Sequence, residues 1–279
     1  QQEIHELFYD LVVFGTAALF VDKDENGLRF NTRHIAEICI SENAQGEVDT
    51  VYRKFQMTAR AMQQRFGEDA LPDIAKKDFE NDPYKKHNII HAVYPRGESK
   101  GGVGKQKAVA SVYYHAETLQ LLSEGGFDSF PFMVPRFVKD SVSTYGRSPS
   151  MNALPDVKML NKMSEVTIRA AQKQIDPPMM APDDGFVLPV RTTPGAINFY
   201  RSGTRDRLEP LQIGANNPLG LAMENERRNA INKAFYVDQL MMSPGATMTA
   251  TEVLQRNEEK MRILAPVLGR LQSELLQPL

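Results

Sequence analysis

The apolar positions of this chain change their spacing twice. Over the first residues, Ile4, Leu7, Phe8 and Leu11 fall on one face of a helix. From Gly15 the pattern becomes short extended runs at 15–22, 28–30, 37–41 and 48–57, divided by the turn signals Asp24-Glu25-Asn26-Gly27 and Asn43-Ala44-Gln45-Gly46. This predicts a meander of antiparallel strands. Thr58 can cap a helix that reaches Arg65 and stops at Gly67, residues 71–80 carry another, and extended runs return at 87–94, 108–115 and 132–138. Residues 1–142 are therefore expected to form an α+β lobe.

Beyond Gly146 helical spacing takes over. Pro155 and Asp156 suit a first helical turn, and Val157, Leu160, Met163, Val166, Thr167 and Ala170 keep one face apolar as far as Ile175. Pro177 and Pro178 end that helix. Residues 176–218 are rich in Pro, Gly, Asn and Asp with brief apolar runs, which predicts a small excursion of turns and short strands, and 219–242 predict a second long helix. A Pro-Gly break at 243–249 precedes the last helix, for which Thr249 and Glu252 have the spacing of a capping box. In it Leu254, Met261, Leu268 and Leu275 recur every seven residues, with Leu264 and Leu271 at the second apolar position and Asn257 as the polar member. The pattern predicts a narrow docking seam along 250–279, with a kink at Pro266.

Charge and candidate chemistry narrow the function. Lysine and arginine number 33 against 35 acidic residues, so no global field draws the chain onto nucleic acid or an anionic membrane. Cys39 is the only cysteine; it excludes an internal disulfide, fits a reducing compartment, and in an apolar strand is expected to be a buried, inert thiol. The longest apolar run, 11–21, is too short to span a bilayer, and no membrane partner is expected. His87 and His91 are four apart, but Asn88 stands where a zinc protease has Glu and the intervening isoleucines favour a strand, so a structural pair is expected and no metal site. Residues 98–106 lack the first glycine and the hydroxyl of a phosphate-binding loop. No catalytic cluster and no cofactor site emerge. The acidic pair Asp183 and Asp184, in a turn, better suits a charge-mediated partner contact than a cation site. A chain that opens and closes within amphipathic helices is expected to be a piece of a longer reading frame.

Six stretches carry a family resemblance: YRKFQMTARAMQQRFG (52–67), HAVYPR (91–96), YGRSPSMNALPDVKMLNKM (145–163), QKQIDPPMMAPDDG (172–185), TPGAINFY (193–200) and the C-terminal run from Met248. In this order they resemble the portal, or head-to-tail connector, protein of short-tailed, podovirus-type bacteriophages. The resemblance implies an α+β portal-like fold: a wing at 1–142, stem helices at 143–175 and 219–242 around a clip at 176–218, a tunnel loop at 243–249, and a long wing helix at 250–279 leading to a crown that this chain lacks. It also implies a structural ring, usually of twelve subunits, in the virion at the capsid vertex, assembled in the host cytoplasm. Its partners would be double-stranded DNA in the channel, the terminase large subunit, the tail adaptor, and capsid and scaffolding proteins. Ser243, Pro244, Gly245, Ala246, Thr247 and Met248 would face DNA; Asp183, Asp184, Arg205 and Arg207 would contact clip partners. Near-neutral charge suits a conduit, since a dense basic lumen would hold DNA that must keep moving. The rival readings are a ring-forming virion adaptor or tail protein without a DNA-gating role, and a soluble hydrolase.

Overall fold

The computed structural model describes residues 2–24, 27–97, 107–176, 179–180, 209–210, 218–237 and 250–279. The fold is α+β and divides into two compact units, residues 1–152 with 239–279, and residues 153–238. In the first, helix α1 (Gln2–Phe14) leads into β1 (Ala18–Asp24) and β2 (Gly27–Arg33), a hairpin whose other edge pairs with β8 (Phe132–Met133). A second, five-stranded antiparallel meander runs in chain order: β3 (Ile38–Glu42), β4 (Val48–Thr58), β5 (Lys86–Pro95), β6 (Val109–His115) and β7 (Leu121–Phe127). Helices α2 (Ala59–Phe66) and α3 (Asp73–Asn81) fill the β4–β5 connection, and the short strands β9 (Val138–Lys139) and β10 (Gly146–Arg147) pair with each other.

The period-two alternation of strand side chains explains the layering. Ala18 and Phe20 of β1 join Ile38, Ile40, Val51 and Val93 in a core between the two sheets. Ala17 and Leu19 point the other way, against Leu7 and Leu11 of α1 and Leu275 near the C-terminus. The remainder of the five-stranded sheet is covered by Met62, Leu71 and Ala75 of the α2–α3 region, packed on Phe55 and Ile89. Strict alternation also corrects the expectation for Cys39: Ile38 and Ile40 point into the core, so the thiol between them is exposed. On α1 only Leu7 and Leu11 are buried among the four apolar residues that share its face; Ile4 and Phe8 are exposed.

The strands of the meander fall close to the predicted runs, with two differences. β7 has a Leu-Leu-Ser-Glu-Gly-Gly-Phe sequence whose glycines and partial exposure hide it from a hydrophobic pattern. The run at 132–138 is two short strands interrupted by Val134 to Phe137. Turn and cap chemistry holds: Asn43 Oδ1 accepts from the amides of Gln45 and Glu47, and Thr58 Oγ1 accepts from Ala61 N.

Helix α4 spans Pro149–Ile175, beginning upstream of the turn at Pro155. Its N-cap is Ser148, fully buried, whose hydroxyl accepts from Met151 N at 2.9 Å and donates to Val13 O at 2.8 Å. With Ser148 capping, Pro149 takes the first helical position and Pro155 lies inside the helix, where it lacks the N–H that would reach the preceding turn. The regular part of α5 is Pro218–Ala234; Tyr236 then adopts φ 59°, which interrupts the predicted helix, and 238–242 lie outside the described residues. Helix α6 (Ala250–Leu271) starts where predicted, passes through Pro266, and ends in a π turn, Gln272–Leu276. Its seam is not the seven-residue repeat. Met261 is 58% and Leu268 43% exposed, whereas Val267 and Leu275 are buried with Leu271 beside them, a face with ordinary helical spacing.

Chain entry and exit around α1 depend on a close backbone crossing. Gly15 has φ +77° and closes α1 by donating its amide to Leu11 O at 2.9 Å; a Cβ there would sit 2.6 Å from the carbonyl oxygen of Gly146 and the carbonyl carbon of Arg147. Gly15→Ala therefore combines a left-handed backbone with a clash against main chain, and is expected to cost at least about 2 kcal/mol. Urea unfolding of the two proteins checks it; equal midpoints would contradict the crossing.

Candidate functional site: a braced helix pair and a buried arginine clamp

The residues expected to face DNA (Ser243, Pro244, Gly245, Ala246, Thr247, Met248) and those expected to meet clip partners (Asp183, Asp184, Arg205, Arg207) lie outside the described residues, as does the 98–106 segment. What flanks them is described. In the second unit Met179–Met180 (β11) pairs antiparallel with Glu209–Pro210 (β12), which brings together the two ends of the segment holding Asp183, Asp184, Arg205 and Arg207.

The helices on either side of that ladder are joined by polar contacts. Asp156 Oδ1 accepts from Arg227 Nη1 at 2.9 Å, and Glu224 Oε1 accepts from Thr167 Oγ1 at 2.8 Å. Partner numbers fall on α5 as they rise on α4, so the two helices run antiparallel. Glu224 is buried, and its second oxygen accepts from Arg228 one turn on, at 3.1 Å. On α4 both Lys162 and Arg169 pair with Glu165, at 2.9 and 2.6 Å. These contacts pair Lys162, Arg169, Arg227 and Arg228 with three carboxylates within the chain. Apolar side chains remain uncovered: Val166, Ile168 and Leu221 are each more than half exposed. Among the described residues of 153–238, Ala153 and Glu224 alone are buried, so this pair has almost no core of its own.

The first unit holds a clamp. Arg136 is 2% exposed, on the bend between β8 and β9. Its guanidinium donates to Glu274 Oε1 from Nε at 3.1 Å and from Nη2 at 2.6 Å, to the carbonyls of Thr144 and Gly46 at 3.2 and 3.1 Å, and makes a close ion pair with Glu42. The Arg136 amide donates to Glu274 Oε2 at 2.8 Å, so one carboxylate holds both the side chain and the backbone. Two local irregularities aim the acids. The register of β3 on β4 shifts between Ser41 and Glu42, with Glu42 on the same side of the strand as Ile38 and Ile40, and the π turn presents Glu274. Lys139 Nζ meets Glu42 at 2.5 Å. Burial works to raise the Glu42 carboxyl, but the hydrogen bonds and charges of Lys139 and Arg136 outweigh it and hold the group below its ordinary value.

His87, His91 and His115 are buried in the core. His91 Nε2 lies 2.9 Å from Ser111 Oγ, and its ring stacks on Tyr113 with centroids 3.9 Å apart. His87 and His115 meet at 3.3 Å, with Asp78 3.4 Å from the other nitrogen of His87. Among the described residues no three His, Cys, Asp or Glu side chains are grouped to hold a metal, and no helix is long and apolar enough to cross a membrane.

This geometry braces the fold. In comparison with known proteins, the whole chain, residues 1–279, matches the family described as bacteriophage head to tail connecting protein. The chain belongs to that family. It is 31% identical over 287 aligned positions to the probable portal protein of Bordetella phage BPP-1, and 32% identical over 291 to the portal protein of Salmonella phage epsilon15. The first alignment covers 99% and the second 100% of this chain, and each covers 52% of the relative. The portal protein of Enterobacteria phage T3 is 22% identical, with 99% of this chain and 50% of that protein covered. The chain thus spans about half the length of the curated relatives it matches. The connector family is structural, and the chain's place in it is as a head-to-tail connecting protein.

Pattern reading missed Arg136 and Glu274 as a pair. Their signal in this connector chain is a lone arginine inside the apolar run Phe-Met-Val-Pro-Arg-Phe-Val, where a charge must find partners if the run is buried. Removing one side of a buried pair leaves the other uncompensated. Arg136→Met, which among the described residues leaves Glu42 only Lys139 and Glu274 only Arg270, is expected to cost about 3–5 kcal/mol, and Glu274→Gln less, about 1.5–3 kcal/mol. Because Glu42 is depressed in the folded protein, its contribution is present above the ordinary carboxyl value of 4.5 and is lost as pH falls through the folded value. Denaturant titrations from neutral pH downward should show that loss in the wild type and a flatter profile in Glu42→Gln.

Proposed function

We propose that the chain is the wing, stem and clip part of a portal subunit: a ring at the capsid vertex through which DNA is packaged and later ejected. In this reading the first unit is the wing with its returning helix α6, α4 and α5 are the stem, residues 176–218 the clip, and 243–249 the tunnel loop. The clip docks the terminase large subunit and later the tail adaptor, while the wing meets capsid and scaffolding proteins. The observation that carries the reading is the helix pair with almost no core, set in a chain that matches the connector family throughout. Helices of this kind draw their stability from packing against neighbours. Here the neighbours would be the same helices of adjacent subunits, with Val166, Ile168 and Leu221 between them. The intrachain pairing of four stem cations supports a lumen without a dense basic stripe, as a conduit for moving DNA requires. As parts of a virion structure, these surfaces need no catalytic group.

Ring order follows from helix size. Helices of about 10 Å diameter packed side by side leave a hole of roughly 9 Å for six and roughly 28 Å for twelve, and a duplex of about 20 Å needs about ten or more. Light scattering and top-view electron microscopy of the intact protein should therefore give a ring of about ten or more subunits with a hole wider than DNA; a stable monomer or dimer across a wide concentration range would sink the proposal.

Deleting residues 243–247 should leave the ring intact and impair DNA packaging or retention. Neutralising Asp183, Asp184, Arg205 and Arg207 should weaken terminase or adaptor binding with assembly unchanged. Packaging assays and binding measurements on purified rings check both, and unaltered values would return these residues to solvated loops.

A further inference from the structure

The inner face of the five-stranded sheet is covered at one end by β1 and at the other by α2 and α3, and between the two covers lies a polar seam. Arg53, His91 and Tyr113 sit opposite one another across β4, β5 and β6, so their side chains share that face. Phe20 of β1 meets His91 edge-on, with centroids 6.0 Å apart, at the first cover. Three guanidiniums converge on this row. Arg53 lies 4.0 Å over the ring of Phe55, Arg65 at the end of α2 lies 4.7 Å over Tyr113 and donates to its hydroxyl at 2.7 Å, and Arg33 at the end of β2 lies 5.9 Å from the ring of Phe20.

Compensation is incomplete. Glu37 pairs with Arg53 at 2.8 Å. Asp22 also acts on Tyr113, from β1. Arg33 has neither a hydrogen bond nor an ion pair among the described residues, although it is half-buried. Burial, then the adjacent Arg53, push Arg33 below its ordinary value, with Arg65 adding to them and Glu37 and Tyr113 offsetting part of the effect. His91 adds no charge: burial, followed by Arg65, Arg53 and Arg33, pushes it down to about 3, so it is neutral at physiological pH. Structural packing alone explains Arg53, which is tied to Glu37 and Phe55. Tyr113 holds Arg65 as well, but no hydrogen bond or ion pair among the described residues accounts for Arg33 beside them.

We infer that the Arg33–Arg53–Arg65 seam is a phosphate-binding site. Several guanidinium forks around one point match an anion with oxygens on several sides better than a carboxylate, which one fork satisfies. Tyr113, already accepting from Arg65, can donate its own proton to the same anion. The phosphate can be free or part of a nucleic-acid backbone, and the inference does not depend on ring assembly.

Calorimetric titration of the intact connector protein with inorganic phosphate, and separately with a short DNA duplex, tests it. Arg33→Gln and Arg65→Gln should each weaken phosphate binding about tenfold or more, while Lys77→Gln, the same charge change on α3, should leave it unaltered. If the natural source is nucleic acid, the duplex will compete with phosphate, and Arg33→Gln will reduce the salt slope of duplex binding by about one. Phosphate binding that the duplex does not compete for assigns the site to free or terminal phosphate. Absence of phosphate binding to the wild type, equal losses in Lys77→Gln, or binding of an acidic peptide in place of phosphate would each overturn the assignment. Arg65 is exposed, so its variant keeps the test decisive should Arg33→Gln lower the melting temperature.

Discussion

Arg136 is the point on which the architecture of the first unit turns. A buried guanidinium is tolerable only with its charge matched and its donors occupied. Here the matching groups come from far apart in sequence: Glu42 from the edge strand, Gly46 from the following turn, Thr144 from the approach to α4, and Glu274 from the last turn of the chain. Satisfying one side chain therefore fixes four segments together. The hydrophobic contact of Leu275 with Leu7 and Leu11 supplies apolar burial but little direction, since apolar packing tolerates sliding. The bidentate grip on Glu274 sets the register of the C-terminal helix against the sheets.

The clamp also accounts for the irregular elements around it. Glu42 reaches the clamp from the Ile38–Ile40 face of β3, where the pairing with β4 shifts register, and a regular α-helix would carry residue 274 about one hundred degrees per residue past its neighbours, without the extra residue that the π turn inserts. Each distortion gives up some regular hydrogen bonding; the gain is a carboxylate aimed at the buried cation. Gly15 and Gly146 make a parallel case in the backbone. Their close crossing lets Phe137 N donate to Gly15 O at 2.9 Å and Gly146 N donate to Thr16 Oγ1 at 2.8 Å, and it places the Ser148 cap under the end of α1.

Local chemistry made much of this fold readable from residues alone, and long-range chemistry did not. Asn43, Thr58 and Gly67 act through atoms a few positions away, so their turns and helix ends could be placed from sequence. Cys39 was misread because its exposure depends on which face of β3 meets the core, a choice made by the opposing sheet. The start of α4 was misread because Pro155 is a strong local signal, while Ser148 gains its force from a hydrogen bond to Val13, far off in sequence. In α6 the seven-residue repeat is real in the sequence, yet Met261 and Leu268 stay exposed because what packs against that helix is the α1 region, on the 267–271–275 side. Among candidate site residues, the phosphate-site arginines lie on three separate elements and leave no sequence motif.

Exposed apolar surface is distributed unevenly, and this bears on how the chain is built. The first unit buries its strands between layers and spends its polar chemistry on fixing register. The α4–α5 pair buries almost nothing, yet Lys162, Arg169, Arg227 and Arg228 are paired with carboxylates and the buried Glu224 is fully engaged. A helix pair destined for solvent would need charged outer faces, and one destined for its own core would need apolar inner ones. This pair has polar contacts between the helices and leaves Val166, Ile168 and Leu221 more than half exposed. Such a pair is incomplete alone, and in the proposed ring lateral repetition of identical pairs would complete every copy in the same way.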